Sequence, residues 1–460
     1  MDATTELLST YVHDLDLQRL DAAAAHEAVR SLVDAVACAL GGFPSEPATI
    51  ARRLAGRATG DPGAGVIGIG RDTVPELAAF ANAVMVRYLD CNDVYFSDRG
   101  NGAHPSDMIP AVLAGAQAAG ADGPAVLTGI VAAYEVLTWL CDAAPFVNLG
   151  GWDYGTFTVV GAACGAGKAM GLDRNELANA VSLAAVSNVA LGAVRLGALS
   201  MWKGAASAHA TKAGLFAAQL AAEGMTGPAE PFDGPAGVWE KLAGTPVDAA
   251  DHPIGEAPAG ICRTSRKRFP CQSHTQGPIG VTLAVRPDVD DPADVTAVRL
   301  WTYGTAVTYG ASPARWDPTT RETADHSIPY LVATALVDGD ITPASFGPDQ
   351  LSRPDTRRLL SVMSVDEDKA YSGRFPDDEP CRIEVDLASG RTLGAELVHP
   401  LGHRANPLTD RQIDDKLHRL APALPDDRRR RALDVLWGLD TLADVDDLFA
   451  ALRLTPADPD

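Results

Sequence analysis

The chain has 460 residues, of which 46% are hydrophobic but only 6% aromatic, and its formal net charge is −22. Such a length buries a large core and predicts two or more domains. The charge disfavours nucleic acid and anionic membranes as partners, and it obliges any anionic substrate to find a local cationic patch.

The N-terminal MDATTELLSTYVHDLD lacks a basic leader and a signal-type apolar core, and no uninterrupted apolar run reaches bilayer-crossing length. Cys38, Cys91, Cys141, Cys164, Cys262, Cys271 and Cys381 are scattered without CxxC or zinc spacing. Reduced thiols in a cytoplasmic setting are therefore expected, with no membrane partner. Residues 1 to about 260 read as helix after helix. Asp122-Gly123-Pro124 opens one of them, and Leu127, Ile130, Val131, Tyr134 and Leu137 follow as a buried stripe. Asp173 and Glu176 predict a capping box for the next, and an alanine-rich helix from Ala205 stops at Gly224. With so few aromatics, these helices are expected to pack closely through small side chains, and nothing in this half alternates like a strand. The character changes near residue 265. VTAVRLWTY (295–303) has strand composition, and CRIEVDL (381–387) turns through Ala-Ser-Gly-Arg into TLGAELV as a hairpin. Between them, a helix from about Ile328 to Val337 ends at Asp338-Gly339. The chain is helical again from Asp410 to Leu452, where Arg428 to Arg431 read as a solvated face. The expected fold class is mainly α: a helical domain at 1–265, a smaller α/β domain at 266–404 and a helical return at 405–460.

Four polar islands interrupt this pattern. RYLDCNDVYFSDRGNGAHPSD (87–107) gathers Asp90, Asn92, Asp93, Tyr95 and His104 between apolar helices. SMWKG (200–204) sets Lys203 at the mouth of the alanine-rich helix. KRFPCQSHTQ (267–276) carries Lys267, Arg268, His274 and Gln276, and RETADHSIPY (321–330) carries Asp325, His326 and Tyr330. Together they suit a di- or tricarboxylate: cations clamp the carboxylates, and a histidine moves a proton beside one of them. The histidines lack HxH or HxxxH spacing, so no metal is expected. There is no GxGxxG after a strand, Walker-type loop, GxSxG elbow or HExxH. Cofactor-free acid–base chemistry is what remains. Plainer readings stand beside these. His104 also reads as a turn residue, Lys203 as a solvated charge, His326 and Tyr330 as helix neighbours, Asp325 as a helix cap, and His403 and Asn406 as turn residues.

RYLDCNDVYFSDRGNGAHPSDMIPAVLA, SMWKGAASAHATKAG, KRFPCQSHTQ, TRETADHSIPYLVATALVDG and HPLGHRANPLTD occur in the order in which they resemble the MmgE/PrpD family, from about residue 5 to 455. The resemblance implies a large all-helical domain carrying both chain ends, a smaller α/β lid domain, a homodimer, and a cofactor-free active site between the domains. Its members, among them 2-methylcitrate dehydratase, cis-aconitate decarboxylase and an iminodisuccinate epimerase, make or quench a carbanion beside a carboxylate. Carried over, Asp90 matches the aspartate opening the family's D-x-N-D stretch, and His104 the histidine of its HPS motif. Lys203 and Lys267 match cleft and interdomain lysines, His274 and Gln276 an H-x-Q, and His326 and Tyr330 an HSxxY. Two positions depart: Val94 stands where threonine is usual, and Asp153-Tyr154 where the dehydratase branch has Asp-His.

The expected activity is that of a hydro-lyase acting on a 2-methylcitrate-like hydroxy-polycarboxylate. His104, Asp90, Lys203 and Tyr154 form the catalytic set. His104 moves the proton, Asp90 orients or protonates the departing hydroxyl, and Tyr154 is a second acid. Lys203 and Lys267 clamp carboxylates with Arg268 or Gln276, and Asn92, Asp93, His274, His326 and Tyr330 complete the substrate contacts. Val94 and Tyr154 motivate an alternative within the fold: a decarboxylase, epimerase or isomerase of a related acid. A second alternative is a catalytically dead dimeric binding protein.

Overall fold

Helices in the first half start where the sequence offers an oxygen, or a proline, to their free amides. The computed structural model describes residues 1–70, 72–144, 151–195 and 199–454. Asp2, Asp21 and Ser45 cap α1 (Ala3–Asp14), α2 (Ala22–Gly42) and α3 (Glu46–Ala55). Proline opens α4 (Pro75–Tyr88) and α5 (Ile109–Ala119). Asp122 caps α6 (Gly123–Ala143), and α7 (Gly155–Ala169) follows. The expected Asp173–Glu176 capping box opens α8 (Arg174–Ser187), and α9 spans Trp202–Ala222. By length and composition α6 could cross a membrane, but 89% of its most apolar window is buried, which makes it a core helix here.

The small-residue packing expected from composition is concrete between α6 and α7. A Cβ on Gly165 would lie 2.7 Å from the Gly129 carbonyl oxygen, and one on Gly129 would lie 2.7 Å from that of Gly165. Only glycine on both helices permits this approach.

The second half builds a four-stranded sheet. Helix α10 (Gln276–Val285) leads into β1 (Val295–Thr302), and α11 (Ile328–Asp338) ends at Gly339 with a left-handed φ of 72°. Strands β2 (Met363–Glu367), β3 (Cys381–Leu387) and β4 (Thr392–Leu397) complete a sheet of order β2-β1-β3-β4. β1 and β2 run parallel, whereas β3 pairs antiparallel with β1 and with β4, Cys381 facing Leu397. β2 was not expected, because its acidic face in MSVDE hides the alternation. Two-residue ladders also occur in the helical half, Ala64–Gly65 with Asp72–Thr73 and Tyr95–Phe96 with Gly102–Ala103.

One apolar cluster runs from Leu8 to Ile261 and resumes from Leu408 to Leu452, so the helices after the sheet, α12 (Asp410–Leu420) and α13 (Asp426–Trp437), pack back on the first half. Separate clusters, including Leu300, Val332 and Ile383 in one and Phe269, Ile279 and Tyr330 in the other, fill the α/β part. Buried Lys416 of α12 joins these regions, donating to Asp34 of α2 (2.6 Å) and to the carbonyls of Cys91 (2.6 Å) and Lys267 (2.8 Å). Gly165→Val should push α6 and α7 apart and lower stability by about 1–3 kcal/mol through overpacking. Urea denaturation measures this, and an unchanged midpoint would show that the helices can separate freely.

Candidate active site

The last turn of α4 carries Arg87 inward, and the chain then reverses at Asp90, whose φ of 53° is left-handed. Aspartate tolerates this region better than most residues, and such strain gathers at functional sites. Val94 and Ser265 exchange backbone hydrogen bonds of 2.8 Å, which brings the following Lys267 beneath the loop. Asp90 Oδ1 thus lies 2.7 Å from Arg87 Nη1 and 2.5 Å from Lys267 Nζ, and Oδ2 lies 3.2 Å from Lys203 Nζ. Burial would raise this carboxyl, but Arg87, Lys267, Lys203 and His326 together hold it well below the usual carboxylate range. Asp90 is therefore ionised and has no proton for a departing hydroxyl, which corrects half of the role expected for it. Its Oδ2, beside the Lys203 ammonium, makes no further hydrogen bond with the described residues and has capacity for a second donor.

The second layer is Lys203, at the start of α9. It donates to both oxygens of Asp325, at 2.9 and 3.0 Å, and lies 3.3 Å from His326 Nδ1. Asp325, read from sequence as a possible helix cap, is instead the counter-ion of Lys203 and a 2.5 Å partner of His326; Ser327 caps α11. Asp90, Asp325 and His326 could between them offer three ligand atoms to a metal ion. The Lys203 ammonium already stands among those atoms and supplies the cation they surround.

His104 sits where the HPS stretch leaves the small hairpin. Asp93 Oδ1 accepts from the Ser106 amide (3.0 Å) and hydroxyl (2.6 Å), and its Oδ2 accepts from Tyr134 (2.7 Å). This fixes the Asp93 carbonyl 2.5 Å from His104 Nδ1. A carbonyl only accepts and a guanidinium only donates, so Nδ1 carries the hydrogen and Nε2 takes a 3.0 Å bond from Arg87 Nη2. Burial, then Arg87 and Lys267, push the imidazole well below its ordinary value, leaving a neutral ring with its lone pair on Nε2.

His104, Asp90, Lys203, Tyr154, His274 and His326 line one cavity of about 500 Å³ at the seam between the helical and α/β parts. Its aromatic side is built by His274, stacked 5.2 Å from Phe96 and edge-on to Phe375 at 5.6 Å. Burial, then His326 and Lys267, lower His274 to about 3, so it offers a neutral ring rather than a charge. Arg195 reaches over the Tyr154 ring at 4.9 Å while paired to Asp153 at 2.7 Å, and Arg315 lines the wall without an ion pair among the described residues.

Other expected contacts lie elsewhere. Asn92 and Asp93 are fully buried behind the wall, where Asn92 donates to Ser106 (3.0 Å) and Asp107 (2.9 Å). Lys267 touches Asp90 from behind rather than lining the cavity. Arg268 faces a recess on another side, over the ring of Phe269. Gln276 folds the preceding turn by accepting from the amides of Arg268 and Phe269, and Tyr330 donates to the Ser345 carbonyl inside the α/β core. Arg87, Arg195, Arg315 and Asp107 were missed. Arg87 reads as an ordinary helix end, although its i,i+3 spacing to Asp90 was a usable signal.

Lys267 donates to Asp90 Oδ1 and, at 2.9 Å, to the Asp90 carbonyl, so Lys267→Met should cost about 1.5–3 kcal/mol by removing charge-assisted hydrogen bonds from a buried carboxylate that keeps Arg87 and Lys203. Chemical denaturation tests this, and a loss of stability below about 1 kcal/mol would make the pair an ordinary surface-strength interaction.

The chain is similar to known enzymes along most of its length. The chain is 25% identical to the mitochondrial 2-methylcitrate dehydratase of Yarrowia lipolytica over 427 residues, covering 88% of this chain and 80% of that protein. It is 26% identical to the 2-methylcitrate dehydratase of Salmonella typhimurium over 390 residues, 78% of each chain. It is 25% identical to the cis-aconitate decarboxylase of Homo sapiens over 475 residues, 98% of this chain and 95% of that protein. The model of the MmgE/PrpD N-terminal domain matches residues 6–249 and that of the C-terminal domain residues 269–440. Matched in both halves, and with its cavity at the seam between them, the chain belongs to the MmgE/PrpD family.

Proposed function

We propose that this enzyme removes water from a 2-methylcitrate-like hydroxy-polycarboxylate without a cofactor. The observation that carries the reading is the neutral His104: Nδ1 is held by a carbonyl, and Nε2 borders a cavity lined by Arg87, Arg195, Lys203 and Arg315, its lone pair freed for a substrate proton when Arg87 turns from the ring to a substrate carboxylate. Arg315, which forms no ion pair among the described residues, and Lys203 receive substrate carboxylates. His104 then takes the proton from the carbon beside one of them. Arg87 borders the same space and, once it leaves the imidazole, is placed to stabilise negative charge spreading into the carboxylate. An imidazolium beside Arg87 and Lys267 is disfavoured in the empty cavity, and the substrate's own negative charge offsets that penalty. Asp90 Oδ2 accepts from the substrate hydroxyl and orients it.

A second reading shares the first half of this chemistry. Val94 and Tyr154 both line the cavity, and the human cis-aconitate decarboxylase is as similar in identity as the dehydratases. Incubation with 2-methylcitrate, cis-aconitate and aspartate-derived acids separates them: loss of water, loss of carbon dioxide or unchanged mass marks dehydration, decarboxylation or isomerisation.

His104→Asn should lower kcat by about 10²–10⁴-fold, the contribution of a positioned general base, while circular dichroism and Tm stay near those of the unmodified enzyme. Turnover within tenfold of the original would remove His104 from the proton-transfer step.

A further inference from the structure

Among the groups that line the cavity or back it, Asp90 is held ionised and His104, His274 and His326 are held neutral, so none of these supplies the proton that a departing hydroxyl needs. Tyr154 keeps its proton: burial, then Asp107, raises its hydroxyl above the ordinary value. Its ring stands edge-on to His104 at 5.4 Å, so donor and base share one end of the cavity.

The Tyr154 oxygen accepts from Arg87 Nε at 3.3 Å and lies 2.9 Å from Asp107 Oδ2. Asp107 is fully buried, in the short turn Pro105–Met108. The groups facing it are Arg87 from α4, with Nε 3.9 Å from Oδ2, Asn92 and Asp93 from the loop, Tyr154 from the start of α7, and Ser207 and Thr211 from α9. Asn92 donates to Oδ1 at 2.9 Å, and Thr211 donates to the Asp107 carbonyl at 2.8 Å. The only cation among these neighbours is therefore Arg87, which is already shared with Asp90 and His104. Burial lifts the Asp107 carboxyl to about 6 against the pull of Arg87 and the neighbouring hydroxyls.

We propose that Asp107 is a positioning residue whose protonation turns the Tyr154 hydroxyl hydrogen from the protein interior toward the cavity, making Tyr154 the acid that expels the substrate hydroxyl. The inference rests on the dehydration reading. With Asp107 ionised, Tyr154 must spend its hydrogen on Oδ2. With Asp107 protonated, Asp107 donates to the tyrosine oxygen, Arg87 fills the second lone pair, and the tyrosine hydrogen is free to point at substrate. In the step, His104 takes the C–H proton and that electron pair forms the double bond. The C–O pair leaves with oxygen, which takes the Tyr154 proton and departs as water. Tyr154 regains a proton from Asp107, His104 releases one to solvent, and Asp107 recovers one from solvent.

The test is kcat/KM against pH for the original enzyme, Asp107→Asn and Tyr154→Phe, with 2-methylcitrate as substrate. The original should lose about tenfold in kcat/KM per pH unit above about 6 as Asp107 ionises in the free enzyme. In Asp107→Asn the amide always donates to the tyrosine, so this decline should disappear. Tyr154→Phe should lose about 10²-fold at every pH with KM little changed. A purely structural Asp107 would scale the whole profile down without changing its shape, and that result overturns the proposal, as does full activity in Tyr154→Phe. Infrared difference spectra between the original and Asp107→Asn should contain a carboxylic-acid stretch that vanishes as pH rises through about 6. Its absence overturns the switch whatever the reaction. Its presence without turnover of any hydroxy acid overturns the dehydration reading instead, and the donor role with it.

Discussion

The buried carboxylate of Asp90 is the constraint around which the site is organised. An ionised group removed from water costs several kcal/mol unless cations and hydrogen bonds replace the solvent. Here the replacements come from Arg87 in the same turn, Lys203 at the head of α9 and Lys267 beyond the Val94–Ser265 bridge. None can withdraw without exposing the others to an uncompensated charge. The pairing therefore fixes the relative positions of three segments far apart in sequence. Lys416 extends the same logic outward, since its ammonium holds the carbonyls of Cys91 and Lys267, the neighbours of the first pair. Surface pairs such as Arg353 with Asp355 have no comparable leverage, because water competes for both partners.

The same cations set the state of the histidines. Burial first, and then Arg87 and Lys267 for one ring or Lys203 for the other, make the charged form costly, so His104 and His326 rest neutral. A neutral imidazole can accept a proton, whereas an imidazolium can only donate. In the proposed reaction, the charge cluster that would stabilise a carbanion also keeps the imidazole able to accept a proton, and both consequences follow from one arrangement of ammonium and guanidinium groups.

Much of this was legible in the sequence, for identifiable reasons. Asp122, the Asp173–Glu176 pair and the Cys381–Leu397 hairpin carry local signals that depend on residues a few positions apart, and each forms as expected. The polar islands also marked the site, because a carboxylate or lysine among apolar helices needs a reason. What sequence did not supply was direction. Asn92 and Asp93 have the composition of substrate ligands, yet the left-handed turn at Asp90 sends them behind the wall to bind Ser106, Asp107 and Tyr134. Tyr330 lies four residues past His326, but Ser327 starts α11 between them and carries the tyrosine into the α/β core. Conversely Arg87 and Asp107 stand at the two ends of the first polar island without any local sign of a shared role, and only the fold shows that they meet at Tyr154.

The charge of the whole molecule and the charge of its cavity point in opposite directions. A net −22 repels an anion at long range, yet Arg87, Arg195, Lys203 and Arg315 line the space where one would bind. At physiological salt the repulsion from distant surface carboxylates is damped over about 8 Å, whereas groups within a partly closed cavity are screened far less. The cavity cations therefore outweigh the surface at contact range. Most of them are already answered: Arg195 by Asp153, Lys203 by Asp325, and Arg87 by Asp90. A carboxylate entering the site must compete with those partners or use Arg315, whose Nε donates to the Tyr309 carbonyl but which has no carboxylate partner among the described residues. Under the proposed function this favours a substrate with several carboxylates, because a single one gains little from cations that are already paired, whereas several can engage Arg315 and share the others at once.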